Sequence, residues 1–170
     1  VIVAENTKQK IVDALFELLA DKELGVISVS NICKTASVSR MSYYRSFKSK
    51  DQIIDYQIDQ IFQEFFNYLM RKPNHDISAF LDAFFTICRK NQHYIQAILK
   101  ANLHDRLYDK VHFYLKDLID KGIFKLRTES PDMWISFVAG GLHQMIVSWM
   151  NEGLKESNEE IVMLTRRFLR

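Results

Sequence analysis

The sequence predicts an all-α protein, and three observations carry that expectation. Apolar residues recur at three- and four-residue intervals along most of the chain, and no alternating strand pattern of useful length interrupts them. Two short helices separated by a tight turn are also legible between Val29 and Phe47, in the stretch VSNICKTASVSRMSYYRSF, which reads as a helix-turn-helix. Ile32, Cys33 and Ala36 give the first of these helices one apolar face, and Ser28 stands ahead of it as an N-cap. The turn falls at Ser37-Val38-Ser39. The second helix carries Arg40, Met41, Ser42, Tyr43, Tyr44 and Arg45, with Val38 and Phe47 as anchors at either end.

Taken in order, the first helix is expected from Thr7 to Asp21, where Ile11, Val12, Ala14, Leu15, Leu18 and Leu19 share a face. Thr7 is placed to cap it, and Gly25 to close the connection in a left-handed turn. The helix-turn-helix follows. From Leu24 to Lys50 there is no Asp or Glu, whereas Lys34, Arg40, Arg45, Lys48 and Lys50 are basic; residues 51–170 set 15 cations against 16 acids. Such a local positive field steers a polyanion to this surface and holds it by counterion release. Double-stranded DNA is the expected partner. Ser39 and Lys48 border the contact, and Arg40, Met41 and Ser42, at the exposed start of the second helix, are placed to read base edges. Tyr43 has two placements open to it, packed inward with Val38 and Phe47 or with its hydroxyl at the DNA backbone, and a mixed position is expected.

A long helix is predicted from Lys50 to about Lys72, roughly 33 Å at 1.5 Å per residue, with Ile53, Ile54, Ile58, Ile61, Phe62, Phe65, Phe66 and Leu69 along it. It opens the second of two modules, residues 1–50 and 51–170. Pro73 to Asp76 ends this helix, since proline cannot continue it and Asp caps the next. Further helices are expected over 77–90, 93–101 and from His104 to about Leu126, the last interrupted near Gly122. Ser130 and Pro131 then stand at the cap and first helical position. From Met133 to Met150 the sequence is apolar almost all round, more than the single core of a chain of 170 residues can use. A second copy of the chain is the expected cover, in an isologous interface shared with a helix from Asn158 to Arg170. Its candidate residues are Gly141, Met145, Trp149, Ile161 and Phe168.

The segment from Thr7 to Ile54 resembles the N-terminal domain of the TetR/AcrR family of transcriptional regulators. The likeness lies in the first helix TKQKIVDALFELLADK, the Ser-capped second helix, Tyr44-x-x-Phe47 closing the recognition helix, and Lys50-Asp51 opening the long helix. Ser37 stands where the family usually has glycine, and Met41 where it usually has a small residue. The resemblance implies phosphate contacts from Ser28, Tyr44 and Lys50, the same dimer placement, and a ligand-sensing second module. Composition alone leaves the rings of that module open between plain core and pocket wall. Phe62, Phe65, Phe84, Cys88, Phe113 and Phe137 are the candidate pocket residues. The resulting expectation is a homodimeric repressor released from operator DNA by a small apolar or amphipathic effector of unknown identity. The alternative is a dimeric helical protein-interaction module without operator binding, for which Ser37 and Met41 are the hints.

Composition narrows the remaining classes. With 48% hydrophobic and 26% charged residues the chain is of ordinary globular make-up, and its net charge of +2 is informative only in its placement. Cys33 and Cys88 are too few and too far apart for a zinc spacing or a disulfide framework, so buried free thiols in a reducing cytoplasm are expected. No secretory leader and no membrane span are expected. The sequence contains no Gly-rich phosphate loop, no G-x-S-x-G and no H-E-x-x-H. His104 and His112 lie two helical turns apart, about 12 Å, too far to share a metal. His93 and His143 are expected as hydrogen-bonded core residues, and Asp105 and Asp109, beside Arg106 and Lys110, as a solvated face. Neither an enzyme nor a metal or cofactor site is expected.

Overall fold

The structure, a computed structural model, describes residues 2–124 and 129–169. Among the described residues every regular element is helical: α1 (Ile2–Leu19), α2 (Val29–Thr35), α3 (Arg40–Ser46), α4 (Lys50–Met70), α5 (Ile77–Lys90), α6 (Gln92–Lys100), α7 (His104–Asp120), α8 (Pro131–Asn151) and α9 (Asn158–Phe168). A single 3-10 turn, Leu24–Val26, lies between α1 and α2.

Several boundaries differ from expectation. α1 begins at Ile2, so Thr7 lies inside the helix and does not cap it. Gly25 sits in the 3-10 turn without a left-handed φ, because the chain there continues as a tight helical turn. α7 stops at Asp120, where Gly122 takes φ +69° and the Ile123 N–H reaches back to the Leu118 carbonyl. Leu126 and Arg170, expected near the ends of two helices, lie outside the described residues. Pro131 opens α8 as expected, but the Ser130 side chain makes no capping hydrogen bond. Asp76 does cap α5, accepting from the Ala79 N–H at 2.9 Å.

The chain divides into two compact units, residues 1–59 with 93–103, and 60–92 with 104–170. In the first, α1 packs on α2 and α3 around Ile11, Val12, Leu15, Ile27, Ile32, Tyr43, Ile53 and Ile54, all fully buried. α6 returns to this unit from far along the chain. Tyr94 packs edge-on against Phe16, with ring centroids 5.0 Å apart, and its hydroxyl donates to the Asp13 carboxylate at 2.6 Å.

In the second unit, α5 packs on α9 and α7 on α8. Its aromatic residues fill space with one another. Phe62 stacks on Tyr114 at 4.4 Å, Phe80 lies parallel to Phe84, and Phe65 meets Phe80 and Phe84 edge-on, the offset and edge-to-face geometries that rings prefer. The candidate pocket residues are therefore not gathered round one cavity. Phe62, Phe65, Phe84 and Cys88 are buried in packed core, whereas Phe113 and Phe137 are 59% and 69% exposed. Helical phase is the reason. Leu107, Val111, Leu115 and Leu118 bury the other face of α7, and Ile135, Val138, Leu142 and Ile146 bury that of α8.

The candidate dimer residues separate in the same way. Trp149 is 2% exposed, with its ring under the Arg89 guanidinium at 4.7 Å, and Ile161 is buried as well, so both belong to the chain's own core. Met145 is half-buried, its sulfur accepting from the Thr165 hydroxyl at 3.2 Å. Gly141 and Phe168 stay exposed, and Met133, Phe137, Met163 and Leu164 join them.

The two thiols are free and buried as expected, and burial pushes Cys88 up to about 12. The histidines are not as expected. His93 is exposed, and the half-buried His143 has no hydrogen-bond partner for Nε2 among the described residues. Burial first, and the neighbouring His104 second, hold His143 below the usual imidazole range.

Candidate nucleic-acid interface

The turn between α2 and α3 is a Schellman closure built without glycine. The Ser37 N–H donates to the Lys34 carbonyl at 3.2 Å and the Val38 N–H to the Cys33 carbonyl at 3.0 Å, while Ser37 itself takes φ +54°. A serine in this conformation costs on the order of 1 kcal/mol, and the two helices cap their ends around it. Ser28 accepts from the Asn31 N–H at 3.1 Å and the Asn31 amide oxygen accepts from the Ser28 N–H at 3.0 Å, a reciprocal cap. Ser39 accepts from the Ser42 N–H at 3.0 Å and starts α3. The departure at Ser37 leaves the motif's geometry in place.

Tyr43 sets the phase of α3. It is 0% exposed, so of its two placements the inward one holds, and as a DNA-facing residue it is corrected. Burial holds its phenol above the ordinary range, and its hydroxyl has no hydrogen-bond partner among the described residues. Tyr44 packs edge-on against it at 5.2 Å and projects outward, 60% exposed. Met41 and Arg45 each lie two residues from Tyr43, about 200° round the helix at 3.6 residues per turn, and so form the ridge opposite the core. Met41 is 81% exposed. Arg40, three residues from Tyr43, comes back to the flank beside α2, where its guanidinium donates to the Ser30 hydroxyl. Of the three expected base readers Arg40 is thus turned toward its own protein and Met41 stands on the crest, where Arg45, outside that set, joins it. The signal was available only through the inward placement of Tyr43.

Lys50 is also placed differently from the expectation of a phosphate contact. Its ammonium turns inward and donates to the carbonyl of Leu24 and, at 2.7 Å, to that of Ile27. Leu24 opens the 3-10 turn and Ile27 follows it as C-cap, so the cation ties the start of α4 to the connection before α2. Lys34, Arg40, Arg45 and Lys48 remain exposed. The Lys48 backbone N–H donates to the Gln52 side-chain oxygen at 2.7 Å.

A capped helix-turn-helix with an acid-free basic surface, followed by a helical bundle, defines a helical transcriptional regulator. Residues 11–56 match the family of bacterial regulatory proteins, tetR family, and residues 75–170 match a transcriptional regulator C-terminal region. The chain belongs to the TetR family of transcriptional regulators. It is 26% identical, over 75% of its length and 66% of the relative's, to DhaS of Lactococcus lactis, an HTH-type dhaKLM operon transcriptional activator. The chain spans just under two thirds of that relative. Lin0861 from Listeria innocua has the same fold, with TM-score 0.77 at 20% identity over 100% of this chain and 94% of that one. So has FadR from Bacillus subtilis, solved in complex with stearoyl-CoA, with TM-score 0.60 at 17% identity over 94% of each chain. No helix among the described residues is long and apolar enough to cross a membrane.

Proposed function

We propose that this chain is a homodimeric repressor that binds double-stranded operator DNA through α3 and is released by a small apolar or amphipathic effector. The observation that carries the reading is the crest of α3. Its side chains point away from a buried Tyr43 on a surface bordered by Lys34, Arg45 and Lys48 and free of acidic residues from Leu24 to Lys50. Tyr44 donates to a phosphate, and the N-terminus of α2 at Ser28 and that of α3 at Ser39 border the backbone. Exposed Met133, Phe137 and Gly141 on α8, with Leu164 and Phe168 on α9, support pairing with a second copy, which supplies the second reading head. Repression needs only an occupied operator, whereas activation needs a further surface for the transcription machinery.

The stearoyl-CoA held by the FadR relative supports an amphipathic effector. With the rings of the second unit packed on one another, an effector acts by population shift: it binds the conformation in which the rings part, and lowers operator affinity by its differential affinity for the two states. The test is a gel shift of the full chain on the DNA flanking its own coding region, with a salt titration and a reporter. Salt-sensitive binding, with transcription rising when the protein is deleted, is the expected result. Binding with transcription falling on deletion makes the protein an activator, as DhaS is named. Failure to bind at low salt favours the protein-interaction module.

A further inference from the structure

The crest of α3 presents an apolar side chain where a groove-reading helix ordinarily presents polar ones, and this has a chemical consequence. Met41 is the second residue of α3, at the end of the helix whose side chains reach base edges. It is 81% exposed, with its side chain opposite the buried Tyr43. Arg40, the neighbour that would compete for the same bases, is drawn aside to Ser30 on α2. Ser42 lies on a flank and spends its N–H on the Ser39 cap, with the two hydroxyls 3.0 Å apart. A thioether donates no hydrogen bond and accepts one only weakly. The major groove offers one apolar feature, the C5-methyl group of thymine. We propose, resting on the operator-binding reading above, that Met41 is a specificity-determining residue that packs on a thymine methyl group in each half-site, while Arg40 positions α3 against α2.

The proposal gives Met41 a role that an exposed methionine on a free protein surface would lack. A flexible, polarisable side chain adapts to the irregular wall of a groove, and burying its terminal methyl against another one removes both from water. The contact selects thymine over uracil, which presents the same O4 acceptor without the methyl, and over cytosine, which lacks the methyl and offers an N4 amino donor instead. It does not depend on salt, so it is separable from the phosphate contacts made by the surrounding cations.

The experiment uses the full chain and its variant Met41→Ala, an exposed position where the fold does not depend on the side chain. The preferred DNA is first selected from a random pool. Each thymine in it is then replaced singly by deoxyuridine, which lacks only the methyl group, and affinities are compared. The expected result is one position per half-site where deoxyuridine weakens binding by the wild-type chain about four-fold, the worth of roughly one buried methyl group. Met41→Ala should bind thymine and deoxyuridine equally at that position while keeping the salt slope. A wild-type chain indifferent to every methyl, or a variant that still loses the same affinity, overturns the role of Met41 and leaves operator binding standing. Selection of no sequence overturns operator binding and this inference together.

Discussion

Replacing Lys50 with methionine separates the two roles this lysine could play. Methionine keeps most of the aliphatic stem and removes the ammonium, so the packing beside α4 is retained while the carbonyls of Leu24 and Ile27 lose their donor. A hydrogen bond from a charged group contributes about 1.5–3 kcal/mol. Two are lost, but the connection is half-exposed around Leu24, so water replaces part of the loss there and the net cost is about 2–3 kcal/mol. At a urea dependence of about 1–3 kcal/mol per molar, the unfolding midpoint of the first unit should fall by about 0.7–3 M. Far-UV circular dichroism follows both units, whereas Trp134 and Trp149 both lie in the second, so tryptophan fluorescence tells which unit has lost stability. The expected result is a lowered dichroism midpoint, with DNA weakened only in proportion to the unfolded fraction. A variant as stable as the parent that lost one unit of salt slope on DNA would refute the tether and restore Lys50 as a phosphate contact.

Other changes test other parts of the structure. Ser37→Gly should stabilise the chain by about 0.5–1 kcal/mol, since φ +54° strains serine and not glycine; a midpoint below the parent's would contradict the Schellman turn. Phe84→Ala should cost about 3–5 kcal/mol, as expected of a ring packed among rings, and a nearly neutral effect in denaturant would reveal an open pocket instead. Gly141→Leu places its Cβ where no atom lies within 4 Å, and it should gain roughly 0.8–1 kcal/mol of helix propensity. Sedimentation should then show a stable monomer with weakened operator binding; a tight dimer would locate the interface elsewhere. His143 is held below the usual imidazole range, so on acidification the unfolded chain takes up this proton before the folded one does. Stability should be unaffected above about pH 6.5 and should decline below it, and His143→Gln should remove that component of a thermal-melting pH series.

The helical class and the helix-turn-helix were legible in sequence because both rest on local periodicity and on residues that satisfy backbone groups within a few positions. Ser28, Ser39 and Asp76 cap the helices they precede, and Pro131 stands at a helix start, for reasons that involve no distant part of the chain. The basic surface was legible too, since a run without acids stays positive in any fold. Everything that depended on which way a side chain faces was decided by the tertiary structure. The burial of Tyr43 against α1 and α2 turns Met41 and Arg45 outward and Arg40 aside, and the sequence of α3 alone, with polar residues at nearly every position, has no apolar stripe strong enough to set that phase. Lys50 finds carbonyls separated from it by more than 20 residues, Tyr94 returns to Asp13 from still farther away, and Trp149 is claimed by Arg89 within its own chain. These contacts between residues remote in sequence leave no periodic trace, because the partner's position is created only when the helices pack.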